Sequence, residues 1–288
     1  MPTTPNRLDS LRTLRYANLD GAFATAFATL VGGTFMVGFV KQLGGSDIWI
    51  GILTAIPSLL GIVQIPGAVW GRSKPGFKGF VLPGGLAWRI FYIPLIILPL
   101  VALAASAKLW VLGSLIAVAS LCVLMVNPAY NDWLATLVPE SSRGWFFSRR
   151  NAILAGVGTA VGLIGGIILD AMNRAGHADQ GFAAVFGLGL VCAAMSFIFF
   201  LRMKDVQRPN PVQQTMAEAI SAMRAPFANR SFRMVILFFI VFIFAQAFPG
   251  NLFGAFALES LHLPFTIIQL CGMAQAVGSI IAARSWGY

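Results

Sequence analysis

Long stretches of this chain run for more than twenty residues without a charged side chain, among them those between Asp47 and Arg72, Lys108 and Asp132, Asp179 and Arg202, and Arg233 and Glu259. About 20 apolar residues in a helix cross the hydrocarbon core of a bilayer. Lipid offers no partner to a bare N–H or C=O, so only helices and closed barrels span it. A barrel strand alternates polar and apolar residues over about ten positions. These runs do not alternate, so an all-α fold is expected.

Extending the reading to the whole chain gives eight apolar segments, at about 15–40, 47–69, 80–104, 109–134, 151–172, 181–201, 232–257 and 264–285. The expected fold is a polytopic transmembrane helical bundle of about eight spans. Charged residues make up 10% of the sequence, against about 25% in a soluble domain. The net charge of +10 would suit a nucleic-acid binder, but the basic residues flank the spans. Sixteen of them, including Arg12, Arg72, Arg143, Arg149, Arg150 and Arg208, fall on one side; Lys41, Lys108 and Arg174 fall on the other. The positive-inside rule places that basic side, with both termini, in the cytoplasm. A bilayer is then the expected partner, and nucleic acid is not.

The N-terminus, Met1-Pro2-Thr3-Thr4-Pro5, lacks the charged, apolar and cleavage regions of a signal peptide, so the first segment reads as a retained span. Cys122, Cys192 and Cys271 lie within apolar segments, at spacings that fit neither a zinc site nor a disulfide framework. They read as packing residues. No Walker motif, nucleophile elbow or His/Glu metal pattern occurs, so neither an enzyme nor a resident cofactor is expected. His177 and His262 fall in loops.

Residues 202–231 form a longer polar connection. Arg208-Pro209-Asn210-Pro211 cannot continue a helix. Thr215 and Glu218 have the spacing of a capping box, and Met216, Ala219, Ile220 and Met223 follow at helical spacing. A short amphipathic helix is expected there, with a solvated linker as the alternative. The chain then divides into a six-helix half (1–201), a linker (202–231) and the start of a second half (232–288).

A sparse internal repeat supports that division. Gly32-Gly33-Thr34-Phe35 aligns with Gly250-Asn251-Leu252-Phe253 at an offset of 218 residues, and Leu43 with Leu261. With a two-residue gap, Val69-Trp70-Gly71-Arg72 aligns with Ser285-Trp286-Gly287-Tyr288. Parallel repeats of this kind build transporters with two similar halves.

Six helices, a long basic linker and a second half resemble the major facilitator superfamily. Gly67-Ala68-Val69-Trp70-Gly71-Arg72-Ser73-Lys74 stands where that family carries a Gly-x-Leu-Ala-Asp-Arg-x-Gly type motif. Gly67 and Arg72 match, whereas Gly71 replaces the acidic residue of the family's gate. Val138-Pro139-Glu140-Ser141-Ser142-Arg143-Gly144, with Phe147 and Arg150, resembles the span 4–5 loop of bacterial members. The resemblance implies secondary transport of a small solute by alternating access, in a bacterial inner membrane. It also implies twelve spans, so the chain reads as part of a longer protein that does not transport alone.

Ionisable groups at membrane depth are costly and mark candidate sites. Asp20 fits a proton-coupling carboxylate, or an interfacial group at a helix N-terminus. Arg89 fits an anion-binding or carboxylate-paired residue, or one that snorkels to the surface. Asp132 is expected against Arg72 or Arg143, with a substrate role as the alternative. Gln64, Asn127, Gln246, Asn251 and Gln275 are candidates for hydrogen-bonding a polar solute, or for joining helices. Pro249 and Gly250 are expected to break the seventh span beside the solute path. Gly158, Gly162, Gly165 and Gly166 read as a close-packing stripe. No proline falls between Asn151 and Asp170, which counts against a drug:proton antiporter of the resembled family. The scarcity of charge in the spans favours a neutral or weakly charged solute. An uncoupled facilitator and a non-transporting scaffold or receptor stand as alternatives.

Overall fold

The computed structural model describes residues 7–208, 211, 213 and 215–285; the side chains at 7, 8, 248–251, 276 and 279–285 lie outside that description. So do most of the Pro-Asn-Pro stretch after Arg208 and the second copy of the Trp-Gly pair at 286–287. Among the described residues the chain is helical and contains no strand, apart from a single bridge between Gly76 and Gln207.

The helices are α1 (Arg7–Val31), α2 (Gly33–Gln42), α3 (Asp47–Leu59), α4 (Gln64–Ser73), α5 (Lys78–Ile90), α6 (Pro94–Ile97), α7 (Ala105–Leu137), α8 (Arg143–Arg174), α9 (Ala178–Arg202), α10 (Met216–Arg224), α11 (Arg230–Glu259) and α12 (Phe265–Ser285). Among the described residues, seven units are long and apolar enough to cross a bilayer: α1 with α2, α3 with α4, α5 with α6, and α7, α8, α9 and α11 singly. This is the architecture of a polytopic membrane protein. The eighth expected span corresponds to α12, where the apolar run among the residues with described side chains covers Phe265–Gln275.

Helix boundaries sit further out than hydropathy suggests. The expected fifth span begins at 151, whereas α8 begins at Arg143, so Arg149 and Arg150 lie inside a helix rather than in a loop. The first span is interrupted at Gly32, which is extended (φ −126°, ψ −160°). Gly33 follows at φ +49°, a conformation that glycine adopts without strain. The second span tightens into a 3₁₀ turn at Leu60–Val63, between Pro57 and Pro66. α11 continues as one helix from Arg230 to Glu259, and the side chains of Pro249, Gly250 and Asn251 lie outside the described residues. The interruption therefore falls at Gly32, the residue aligned with Gly250.

Close approach of helices follows the small residues. Gly67 of α4 sits against the backbone carbonyl of Met125 in α7, leaving no room for a methyl group. Gly158 and Gly165 of α8 face Thr29, Leu30 and Phe35, while Gly162 and Gly166 face Gln269 and the backbone of Thr266 in α12. The glycine stripe thus packs against the first span on one side and α12 on the other.

Two apolar clusters fill the bundle. One, near the basic end, contains Ala17, Phe77, Val81, Trp133, Leu134, Phe200 and Met203. The other, toward the opposite end, contains Phe27, Leu30, Phe35, Phe39, Leu95, Leu112, Phe182 and Phe186. In α1, in α5 with α6, and in α9 the two clusters are separated by polar residues: Asp20 lies between Ala17 and Phe27, Arg89 between Val81 and Leu95, and Ser196 between Ala193 and Phe200.

At the far end, Lys41 bridges Asp47 and Glu259, each at 2.7 Å. Asp170 of α8 accepts from the backbone N–H groups of Phe265 (2.9 Å) and Thr266 (2.8 Å) and from the Thr266 hydroxyl (2.6 Å). It thereby satisfies donors that the first turn of α12 leaves open. Phe35 stacks on Phe265 at 6.0 Å. At the basic end, the side chains of Thr215 and Glu218 close a reciprocal capping box on α10, whose Met216 and Ala219 are half-buried.

Candidate functional site: a charged layer beside a central cavity

The polar layer is a connected network. Arg89 of α5 pairs with Asp20 of α1 at 3.1 Å. The same guanidinium donates to the Ser196 hydroxyl of α9 and to the Gly85 carbonyl one turn back in its own helix. Ser196 donates to Asp20 Oδ1 at 2.6 Å, and the Tyr130 hydroxyl of α7 donates to Oδ2 at 2.8 Å. Both carboxylate oxygens are therefore occupied. The side chains of Asp20 and Arg89 are 5% and 9% exposed, and Arg89 also lies 5.0 Å from the Trp88 ring centre. At that burial an ion pair persists only when the remaining donors and acceptors are satisfied, and this network satisfies most of them.

The layer borders a cavity of about 770 Å³. Its wall takes residues from α1, α2, α5, α7, α8, α9 and α12, including Thr25, Trp88, Asn127, Arg150, Phe200 and Gln269. The volume lies in the ~300–1,000 Å³ range of small-molecule sites, and the wall has their usual character: mostly apolar, with a few convergent polar groups.

Of the sequence candidates, Asp20, Arg89 and Asn127 meet at this cavity. Asp20 and Arg89, expected separately, are partners. The paired reading of Arg89 describes its geometry, and burial removes the snorkelling one. Gln64, Gln246 and Gln275 are exposed and lie outside the cavity wall; the side chains of Asn251, Pro249 and Gly250 are outside the described residues. Sequence alone does not mark Tyr130, Arg150, Ser196 or Gln269 for chemistry. Ser196 is a small hydroxyl in an otherwise apolar run. Arg150 reads as a loop charge when α8 is started eight residues too late.

The remaining candidates gather at the basic end. Asp132 lies 4.0 Å from Arg72 and 3.5 Å from Arg208. Arg143 points elsewhere, to the carbonyls of Ala135 (2.9 Å) and Val138 (3.3 Å) and to Glu140 (3.3 Å). Arg208 also donates to the Gly71 carbonyl at 2.7 Å and lies 4.1 Å from the Phe77 ring centre. Partial burial draws its guanidinium below the ordinary arginine value, and Asp132 pulls the other way. Asp205, three residues earlier, accepts from the backbone N–H groups of Phe77 and Lys78, both at 2.9 Å, and so caps α5. The segment after α9 is thus strapped across the loop between the second and third spans.

No protein-family model matches the chain, and no curated protein matches it.

Proposed function

We propose that this chain is part of a secondary transporter that moves a small solute by alternating access, with the central cavity as its solute site. The observation that carries this reading is the buried Asp20–Arg89–Ser196–Tyr130 layer on the wall of a 770 Å³ cavity inside a membrane-spanning bundle. Ionisable side chains at membrane depth that face an internal cavity mark solute or ion pathways, and sites near the bilayer midplane are a property of transporters built from repeats. A major-facilitator-like organisation, a cytoplasmic basic end and a bacterial inner membrane complete the proposal. They rest on the 16-to-3 basic asymmetry and the motif resemblances in the sequence.

Contacts at the far end favour a resting state closed there. Lys41 with Glu259, Asp170 with the start of α12, and Phe35 on Phe265 join the helices on that side. On this reading the cavity is reached from the basic side. Asp20 is the candidate for proton coupling, because its protonation would release Arg89 and Tyr130 together.

Labelling tests this without an identified solute. The native cysteines are replaced by serine, a single Thr25→Cys is introduced at the cavity wall, and the protein is inserted in vesicles of defined orientation. A membrane-impermeant maleimide is expected to label this cysteine from the basic side, and to gain access from the other side when the equilibrium is driven over by Lys41→Ala with Asp170→Ala. A cysteine labelled from one side under every condition, or from neither, excludes alternating access.

A further inference from the structure

We propose that Arg150 is an anion-recognition group in the central cavity, and that the transported solute carries a carboxylate or phosphate group. This rests on the transport reading above and departs from the expectation of a neutral or weakly charged solute.

Three formally charged side chains line the cavity: Asp20, Arg89 and Arg150. One carboxylate therefore faces two guanidiniums, and its oxygens are committed to Arg89, Ser196 and Tyr130. Arg150 is left with poor partners. Its Nη2 reaches the Ala17 carbonyl at 3.5 Å and the Tyr130 hydroxyl at 3.4 Å, both neutral oxygens at the limit of hydrogen bonding. Its buried Nε has no partner at all. Among the described residues no carboxylate forms an ion pair with Arg150.

The fold nevertheless makes room for this guanidinium. Gly21 of α1 lies beneath it, where a Cβ would collide with Nη2 and come within 3.3 Å of Leu154. An arginine inside a membrane helix is costly without a counter-charge. Here the carboxylate of the cavity, Asp20, is paired directly with Arg89 and only shared with Arg150; the Arg150 donors face the cavity, and the opposing helix is bare where the guanidinium sits. The planar fork matches a carboxylate or phosphate with two parallel hydrogen bonds. Thr25, Asn127 and Gln269 supply further polar contacts on the wall, and Trp88 and Phe200 supply apolar ones, so an organic anion fits better than a bare inorganic one.

The same chemistry is found in soluble anions and in phospholipid headgroups, and the test separates them. The whole chain, purified in an uncharged detergent, is titrated calorimetrically with benzoate and with inorganic phosphate; benzamide is the neutral isostere of benzoate. At least one anion is expected to bind saturably, with benzoate at least tenfold tighter than benzamide. Arg150→Gln should weaken anion binding by about tenfold to a hundredfold, the usual consequence of losing a charged hydrogen-bond donor. Arg150→Lys should retain part of the affinity, and Gly21→Val, which displaces the guanidinium, should fall between. Size-exclusion profiles and the Lys variant guard against a simple folding defect.

Benzamide binding as tightly as benzoate, binding unchanged by Arg150→Gln, or no binding of either anion overturns the proposal. Repeating the titration in nanodiscs with and without phosphatidylglycerol tests the lipid source. Affinity that survives the anionic lipid supports a solute site, whereas affinity lost to it assigns the site to a headgroup and overturns the solute inference. In liposomes that hold the whole transporter, benzoate binding without benzoate flux sinks the transport reading and leaves the anion site standing. Flux indifferent to Arg150→Gln does the reverse.

Discussion

The Asp20–Arg89 pair in the middle of the bundle and the Asp132–Arg72–Arg208 group at its basic end use the same two side-chain types. Their surroundings differ. In the central pair both side chains are nearly sealed from solvent, at 5% and 9% exposure. At the rim, Asp132 is 49% and Arg72 56% exposed, and the ions stand 4.0 Å apart. Water screens the Asp132–Arg72 pair, so its energy is small, while Arg208, with 10% of its side chain exposed, ties the segment after α9 to the loop between the second and third spans. The central group has replaced water with Ser196, Tyr130 and the Gly85 carbonyl, so each member depends on the others. One lesson is that residue type nominates a site, and burial decides what the site does.

The sharpest way to break this comparison is to remove one charge from the centre. Asp20→Asn leaves the Arg89 guanidinium buried without a counter-ion, and is expected to cost about 3–5 kcal/mol of stability, the range for one-sided loss of a buried pair. Thermal unfolding in detergent, followed by circular dichroism or light scattering, measures it. Replacing both partners, as Asp20→Asn with Arg89→Gln, should recover most of the loss, because an uncharged pair needs no desolvation. If the single variant is as stable as the parent, the central network is not a tightly coupled unit.

The two groups are not equally readable from sequence. Asp20 and Arg89 stand out as ions in apolar runs, but they are 69 residues apart, and nothing local says that they meet. Ser196 and Tyr130 are ordinary polar residues until the packing brings them onto the carboxylate. Arg150 is hidden by a boundary: hydropathy begins the fifth span only where the basic residues end, whereas α8 runs back to Arg143 through them. The rim is partly legible, since Asp132 is expected near Arg72. Arg208 escapes notice because it comes from a linker whose docking depends on tertiary contacts. The large elements are more legible, because charge-free length is a one-dimensional property. Even so, the interruption at Gly32 depends on two glycine conformations that no hydropathy window detects.

A middle-sized effect is expected where the rim contributes hydrogen bonds rather than bare charge. Asp205 caps α5 through the N–H groups of Phe77 and Lys78 and also accepts from Val206 at 2.9 Å. Asp205→Ala removes these acceptors at once and should cost about 1–2 kcal/mol, the upper part of the range for a lost N-cap. Asp205→Asn keeps an acceptor oxygen and should recover about half. Hydrogen exchange at residues 77–80 gives a local reading: faster exchange there, with the far end unchanged, is the expected pattern. A global change in exchange would mean that the strap and the core are one unit, and would weaken the contrast between centre and rim.

The smallest effect is expected for Asp132→Asn. The carboxylate is half exposed, and its partners, at 4.0 and 3.5 Å, are loosely placed; exposed pairs of this kind contribute under about 1 kcal/mol. Arg208 keeps its hydrogen bond to the Gly71 carbonyl and its place over the Phe77 ring without Asp132, so the loop should stay docked. The residual effect should fade with added salt, because solvent-exposed charges are screened over about 8 Å at physiological ionic strength. A loss comparable to that of Asp20→Asn would show that the Asp132 carboxylate is coupled to the bundle interior, and that burial alone does not separate the two groups. Alternating-access labelling of Thr25→Cys in the Asp132→Asn background sharpens the result. Unchanged access with unchanged stability makes Asp132 a loop clamp, whereas altered access with unchanged stability makes it part of a gate.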